Sequence, residues 1–135
     1  MKVSTLGANA VSLVSTIEPP SILSTEYYQL LPSTAYTITF MMKTNKVSGG
    51  GRGAFLRHTQ YSGDKTGGTG TDSTYINTTT GWTSYSISFT TASTARFGQI
   101  KLYAWGQDST ADLLINAWFD NIVLTKTTPD ARTLA

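Results

Sequence analysis

Cysteine is absent from this chain of 135 residues, and histidine occurs once. Without cysteine neither a disulfide framework nor a thiolate metal site can hold the fold together, so stability has to come from apolar burial and sheet pairing. Charge is sparse as well: charged residues make up 13% of the chain, ten basic against eight acidic, for a formal net charge of +2 with no dense Lys/Arg cluster. That balance lacks the footprint of a phosphate backbone and excludes nucleic acid as the expected partner. No apolar run exceeds a few residues, against the roughly 20 needed to cross a bilayer, so no membrane span is expected. The opening Met1-Lys2-Val3-Ser4-Thr5 has one positive charge and no continuous apolar region. It reads as a cut inside a longer chain rather than a secretory signal.

The residues of catalysis are equally scarce. A nucleophilic triad needs an ordered base and an activated nucleophile, but the single His58 lies in an apolar stretch and no Gly-x-Ser-x-Gly elbow is present. A partly buried, hydrogen-bonded histidine is the plainer expectation. The acids are Glu18, Glu26, Asp64, Asp72, Asp108, Asp112, Asp120 and Asp130, mostly among turn-forming residues. A glycosidase needs two carboxylates flanking a cleft, and nothing singles out such a pair. Only Asp120 sits within an apolar segment, where a carboxylate costs free energy unless it is paired or bound to a metal. Gly49-Gly50-Gly51 is followed by neither a helix nor a Gly-Lys-Ser/Thr ending, so it reads as a loop rather than a phosphate cradle.

What the chain does have is alternation of period two, and no window carries a helical spacing. Tyr36, Ile38, Phe40 and Met42 alternate with Thr37, Thr39, Met41 and Lys43. Ala54, Leu56 and His58 oppose Phe55, Arg57, Thr59 and Tyr61. Trp82, Ser84, Ser86 and Ser88 oppose Thr83, Tyr85, Ile87 and Phe89. Ile100, Leu102 and Ala104 oppose Lys101, Tyr103 and Trp105. Weaker strands are expected over 3–6, 10–17 and 26–31, a turn at Pro32-Ser33-Thr34 and a long surface loop over 62–73. A last strand over 113–124 keeps Ile115, Ala117 and Phe119 in phase, but out of phase with Ile122 and Leu124, which predicts a β-bulge near Asp120. About eight strands with turns between them make an all-β sandwich or barrel over residues 1–126, with 127–135 as a tail or linker. Thr, Ser and Gly with few charges suit exposed sheet faces and an extracellular or virion-surface setting.

Two rows of mixed character stand out on the polar sides of these strands. Phe55, Arg57 and Tyr61 form one, and Lys101, Tyr103 and Trp105 the other. Flat rings stack on the apolar face of a sugar while Arg and Lys donate to its hydroxyls, so the rows together suit a sugar cleft. Rings on a sandwich also serve as packing, and alternation alone leaves both uses open.

Three segments carry a resemblance. Leu31-Pro32-Ser33-Thr34-Ala35-Tyr36-Thr37-Ile38-Thr39-Phe40, Gly81-Trp82-Thr83-Ser84-Tyr85-Ser86-Ile87-Ser88-Phe89-Thr90 and Ala117-Trp118-Phe119-Asp120-Asn121-Ile122-Val123-Leu124 resemble carbohydrate-binding modules of the group of families four, nine and twenty-two. That group recurs in secreted glycoside hydrolases, bacterial surface proteins and phage tail proteins. The resemblance implies a jelly-roll β-sandwich of two antiparallel sheets that binds polysaccharide or a surface glycan without catalysis and is fused to further domains. It implies that Trp82 and Phe119 are packing residues and that Asp120 helps hold a structural Ca2+. The chain lacks the Asn-Gly-Ser-Phe-Glu-like opening that contributes to that calcium site. It also has methionine at Met41, where several members present a cleft-side aromatic. The ligand-binding residues expected are Trp105, Tyr103, Lys101, Arg57, Phe55 and Tyr61, with Asp120 as the metal ligand. The alternative is a structural or decoration domain of a virion, tail or surface fibre that uses the same sandwich for protein contacts.

Overall fold

A computed structural model describes residues 11–14, 21–49, 52–105 and 114–127, with backbone alone at 11–14, 21–23, 105 and 114. Nine strands appear in order: β1 (Val11–Val14), β2 (Ser21–Ser24), β3 (Tyr28–Gln29), β4 (Ala35–Ser48), β5 (Gly53–Tyr61), β6 (Thr69–Asp72), β7 (Thr80–Thr90), β8 (Phe97–Trp105) and β9 (Leu114–Lys126). The described residues contain no helix, and so none long and apolar enough to cross a membrane. The expected strand at 3–6 and the tail beyond Thr127 lie outside the described residues.

The strands form two antiparallel sheets, β1-β9-β4-β7 and β2-β8-β5-β6, with β3 added against β8. The all-β sandwich expected from alternation is the architecture observed. Between the sheets, Ile38, Phe40, Met42, Ile87, Phe89, Ile115, Ala117, Phe119 and Ile122 meet Ala54, Leu56, Ile100, Leu102 and Ala104 in one apolar cluster. Period two dictates this, because residues two apart along a strand share a face.

The bulge near Asp120 is present. Thr39 pairs with Val123 but Met41 with Asp120, so β9 carries one residue more than β4 across that interval. Asn121 absorbs it at a left-handed φ of 52°, a conformation asparagine tolerates better than most residues. The extra residue returns Ile122 to the core after Phe119. Without it, Ile122 would point to water.

Two elements depart from the expected pattern. Residues 62–73, read as loop, contain β6, whose Thr-Gly-Thr-Asp has no apolar residue to announce a strand. It pairs as an edge, Arg57 with Asp72 and Thr59 with Gly70. β2, between Pro20 and Thr25, pairs with the opposite side of β8.

Trp82 corrects a second expectation. The resemblance makes it a packing residue, yet it is 43% exposed, whereas Phe119 is fully buried. Between Met42↔Thr83 and Thr44↔Thr80 the register shifts, and β7 carries the extra residue at this point. Trp82 stays on the serine side of its strand, as alternation alone places it.

His58 is 0% exposed and stacks on Phe89 at 3.9 Å and 16°, bridging the sheets, with Tyr28 tilted beside it. The burial expected of it holds, but the hydrogen bonding does not: neither ring nitrogen, nor the buried Tyr28 hydroxyl, has a partner among the described residues. Gly98 makes room for this arrangement. A Cβ there would stand 2.8 Å from His58 Nε2, Leu30 Cδ1 and Tyr28 Cε2 alike. Burial pushes the His58 pKa down from 6.5 to about 4 and pushes the Tyr28 hydroxyl well up.

Two outcomes follow from this core. Phe119→Ala should cost about 3 to 5 kcal/mol through lost burial and a residual cavity, and Trp82→Ala no more than about 1 kcal/mol, as measured by denaturant unfolding. Equal losses in both variants would contradict the placement. The unfolded chain takes up a proton at His58 near pH 6.5 while the folded one resists until about pH 4. Acid therefore favours unfolding, and His58 should account for a loss of about 3 kcal/mol between pH 6.5 and pH 4, with no further loss of its own below. His58→Phe should flatten this slope, and an unchanged slope would assign the titration to another group.

Candidate functional site

The two rows singled out in the sequence lie on one surface. β5 pairs with β8 so that Phe55 faces Tyr103, Arg57 faces Lys101, Thr59 faces Gln99 and Tyr61 faces Phe97. All of these point away from the core, onto the wet face of the second sheet. Residues 68–76 then run alongside β5. Leu56 N–H donates to Ser73 Oγ and Ser73 N–H to Leu56 O, both at 2.9 Å, and Ala54 exchanges backbone bonds with Ile76. This pairing brings Asp72 and Tyr75 onto the same face, two residues the sequence did not mark. A carboxylate and a ring in a stretch of Thr, Ser and Gly carry no periodic signal.

Together these elements enclose an open groove of about 450 Å³ lined by Arg57, Thr59, Tyr61, Gly68, Gly70, Asp72 and Lys101. Arg57 and Asp72 form a two-pronged pair on its floor. Nε donates to Oδ1 at 2.6 Å and Nη2 to Oδ2 at 3.0 Å, while Nη1 reaches the Tyr103 hydroxyl at 3.4 Å. The Tyr75 hydroxyl donates to Asp72 Oδ2 at 2.5 Å and accepts from Arg52 Nη1 at 3.0 Å. Burial by itself would raise the Asp72 carboxyl. Hydrogen bonds from Arg57 and Tyr75, with the guanidinium charge, outweigh burial and leave it below its ordinary value. The hydrogen bond and charge of Asp72 in turn hold Arg57 above its own, and the bond to Asp72 pushes the Tyr75 hydroxyl up.

The rings divide into support and surface. Phe55, expected to touch ligand, is 0% exposed: Tyr103 stacks on it at 4.5 Å and 4°, and Tyr75 meets it edge-on at 4.7 Å and 82°. It is the base of the aromatic cluster and not its surface. Tyr103 is 6% exposed, stacked on Phe55 with the Arg57 guanidinium 5.1 Å from its ring, so it offers little surface for stacking on a ligand. Tyr75 is 41% exposed at one end of the row. At the other end half-buried Tyr61 meets exposed Tyr27 edge-on at 5.3 Å and extends its hydroxyl to Gln99 Oε1 at 3.4 Å. Gly68 lies directly against Tyr61, since a Cβ there would come within 2.8 Å of its ring. Trp105 closes β8 opposite Gly53, and its side chain lies outside the described residues.

Asp120 stands apart, at the bulge in the other sheet, and its Oδ1 accepts from Asn121 N–H at 2.8 Å. Among the described residues no group of three or more His, Cys, Asp or Glu side chains comes together to hold a metal ion. Calcium takes six to eight oxygens, and one half-engaged carboxylate does not assemble that set. A structural Ca2+ of the kind that the resemblance implies would take its remaining oxygens from backbone carbonyls or from residues outside the described ones.

Met41, also on the wet face of the first sheet, lies on the opposite side of the sandwich from the groove. Its cross-strand neighbours are Ser84 and Asp120, and the adjacent row holds Trp118 with the Lys43 ammonium 5.3 Å over its ring. A depression of about 490 Å³ beside β3 is lined by Leu30, Leu31, Tyr36 and Phe97 among others. Its cation, Arg96, is tied to the carbonyls of Ser93 and Ala95 in its own loop. Neither place gathers the rings and polar groups that the groove does.

Solved structures match this architecture. A structure titled for the structure and function of a CBM4 module aligns with a TM-score of 0.53 at 14% identity, over 78% of this chain and 61% of that one. A family 16 carbohydrate-binding module aligns at 0.56 and 17%, over 86% and 75%. The fold is that of carbohydrate-binding modules. A third module structure of this fold, the CBM22-1 and GH10 modules of xylanase 10B from Clostridium thermocellum in complex with xylohexaose, aligns at 0.55 and 14% over 91% of this chain. This chain spans about three fifths of the CBM4 module structure and about a quarter of the xylanase one. No family model and no curated protein matches the sequence.

Proposed function

We propose that this chain is a non-catalytic carbohydrate-binding module that receives a stretch of polysaccharide along the β5–β6–β8 groove. The observation that carries this reading is the groove itself, an open polar floor with a partly exposed tyrosine at either end. At a rise of about 3.4 Å per residue, Phe55 to Tyr61 spans roughly 20 Å, enough for several sugar rings in a row. Tyr75 and Tyr61 supply the apolar faces, and Arg57, Lys101 and Thr59 the hydrogen-bonding groups. Trp105, which the alternation of its strand assigns to the Lys101 row, is proposed as a further stacking ring. The groove's lining holds a single carboxylate, Asp72, locked to Arg57, whereas glycoside hydrolysis uses two. We place the module in a larger extracellular, surface or phage-encoded protein. The xylanase neighbour, of whose chain the matched part is 26%, offers one precedent for such an arrangement.

A second reading has a specific observation in its favour. The wet face of the first sheet exposes Trp82 and, further along, Val123, and carries Trp118 with Lys43 over its ring, a surface suited to protein contacts in a fibre or virion.

Affinity gel electrophoresis against a panel of polysaccharides, followed by calorimetric titration, tests the first reading. Tyr75→Ala, Tyr61→Ala and Trp105→Ala are each expected to weaken binding by about 1 to 3 kcal/mol with the fold retained, as for loss of an aromatic hot-spot contact. Retention of no polysaccharide, together with self-assembly that Trp82→Ser abolishes, would replace it with the second.

A further inference from the structure

The groove's charges are unequally matched. Of the three ionised groups that line it, Arg57 and Asp72 neutralise each other through two parallel hydrogen bonds, and Asp72 is further satisfied by Tyr75. Lys101 is left over. From β8 it lies directly across from Arg57 on β5 and from Ser24 on β2, is half-buried, and has no side-chain hydrogen-bond or ion-pair partner among the described residues. Among the described residues no acid pairs with it. Asp64 accepts from Ser62 and Thr66 within its own turn, and exposed Glu26 makes no ion pair.

An ammonium on the floor of a groove keeps its water as long as the groove is empty. A ligand that fills the groove strips that water, and the lost hydration is recovered only if the ligand brings an acceptor of comparable strength. A sugar hydroxyl is a neutral acceptor. A carboxylate or sulfate oxygen makes a charge-assisted bond roughly twice as strong, and the walls of the groove concentrate the field of the unpaired charge on whatever enters. The cations at either end add to that field. Arg52 lies 5.1 Å over the Tyr75 ring and Lys65 5.1 Å over the Tyr27 ring, so each exposed ring has a positive group beside it.

We propose that the glycan this groove accepts is anionic, carrying carboxylate or sulfate groups along its length, and that Lys101 is the residue that reads them. The proposal rests on the reading of the groove as a glycan site and names the ligand class of that site.

Retention of the wild-type chain is measured on gels containing polygalacturonate, dextran sulfate, neutral xylan or neutral β-glucan, with calorimetry at rising salt. Binding to polygalacturonate or dextran sulfate should be about tenfold tighter than to either neutral polymer and should weaken as salt rises. Comparison of the two anionic polymers tells carboxylate from sulfate. Lys101→Met should weaken anionic binding about fivefold or more with its melting temperature unchanged, while Lys126→Met, exposed at the far end of β9, should bind as the wild type does. Equal or tighter binding of a neutral polymer, or undiminished anionic binding by Lys101→Met, would overturn the anionic assignment while leaving a glycan groove in place. Retention by none of the four would remove both readings. Equal weakening by Lys126→Met would reduce the effect to net charge and overturn the role of Lys101.

Discussion

Leu56 opposite Leu102 and Phe55 opposite Tyr103 fix the register of β5 on β8, and most of the molecule depends on that register. Even-numbered residues of both strands face the core and odd-numbered ones the opposite side, where Arg57, Thr59, Tyr61 and Lys101 line the groove. A slip of one residue would exchange the two sets and bury Arg57 and Lys101 where Leu56 and Leu102 now sit. The register is enforced from the core side, where Leu56, Ile100 and Leu102 pack against the first sheet and His58 stacks on Phe89. A histidine without a hydrogen-bond partner is a costly core residue. Its flat ring nonetheless fills the narrow space that Gly98 leaves between Tyr28 and Phe89.

From this register the outer surface is built in layers. Phe55 and Tyr103 stack in parallel against the sheet, Arg57 lies over both rings, and Asp72 from β6 grips Arg57 from the side. Tyr75 then covers Phe55 and bonds to Asp72. Each layer holds the next in place, so the groove floor is organised before any ligand arrives. Pre-organisation of this kind reduces the ordering cost of binding. Tyr75, Tyr61 and Lys101, and part of Arg57, have surface to spare.

Much of the fold was legible in the sequence because alternation is a local signal that burial in one sandwich core makes consistent. The phase change around Asp120 could be read as a bulge for the same reason. β6 could not be read, since Thr-Gly-Thr-Asp becomes a strand only through its partner β5. Trp82 shows how two signals can conflict. Its neighbours Ser84, Ser86 and Ser88 placed it on the wet side, while the resemblance placed it in the core, and the strand's own pattern prevailed. At the site, the two rows could be read from parity, but that they share one face could not, since parity does not say that β5 pairs with β8. Which rings would be covered could not, because that depends on Tyr75 and Asp72 arriving from another segment. The sequence distance between Arg57 and Asp72 carries no mark of the ion pair that joins them.

The central claim is that ligand lies on the wet face of the second sheet and not on that of the first. Backbone amide chemical shifts, followed while the labelled chain is titrated with an oligosaccharide cut from whichever polysaccharide it retains, test this most directly. The account predicts saturable shifts concentrated at Arg57, Thr59, Tyr61, Gly68, Gly70 and Lys101, the residues of the groove. Shifts concentrated instead at Met41, Lys43, Trp82, Ser84 and Trp118 would place the ligand on the opposite face of the sandwich and contradict it.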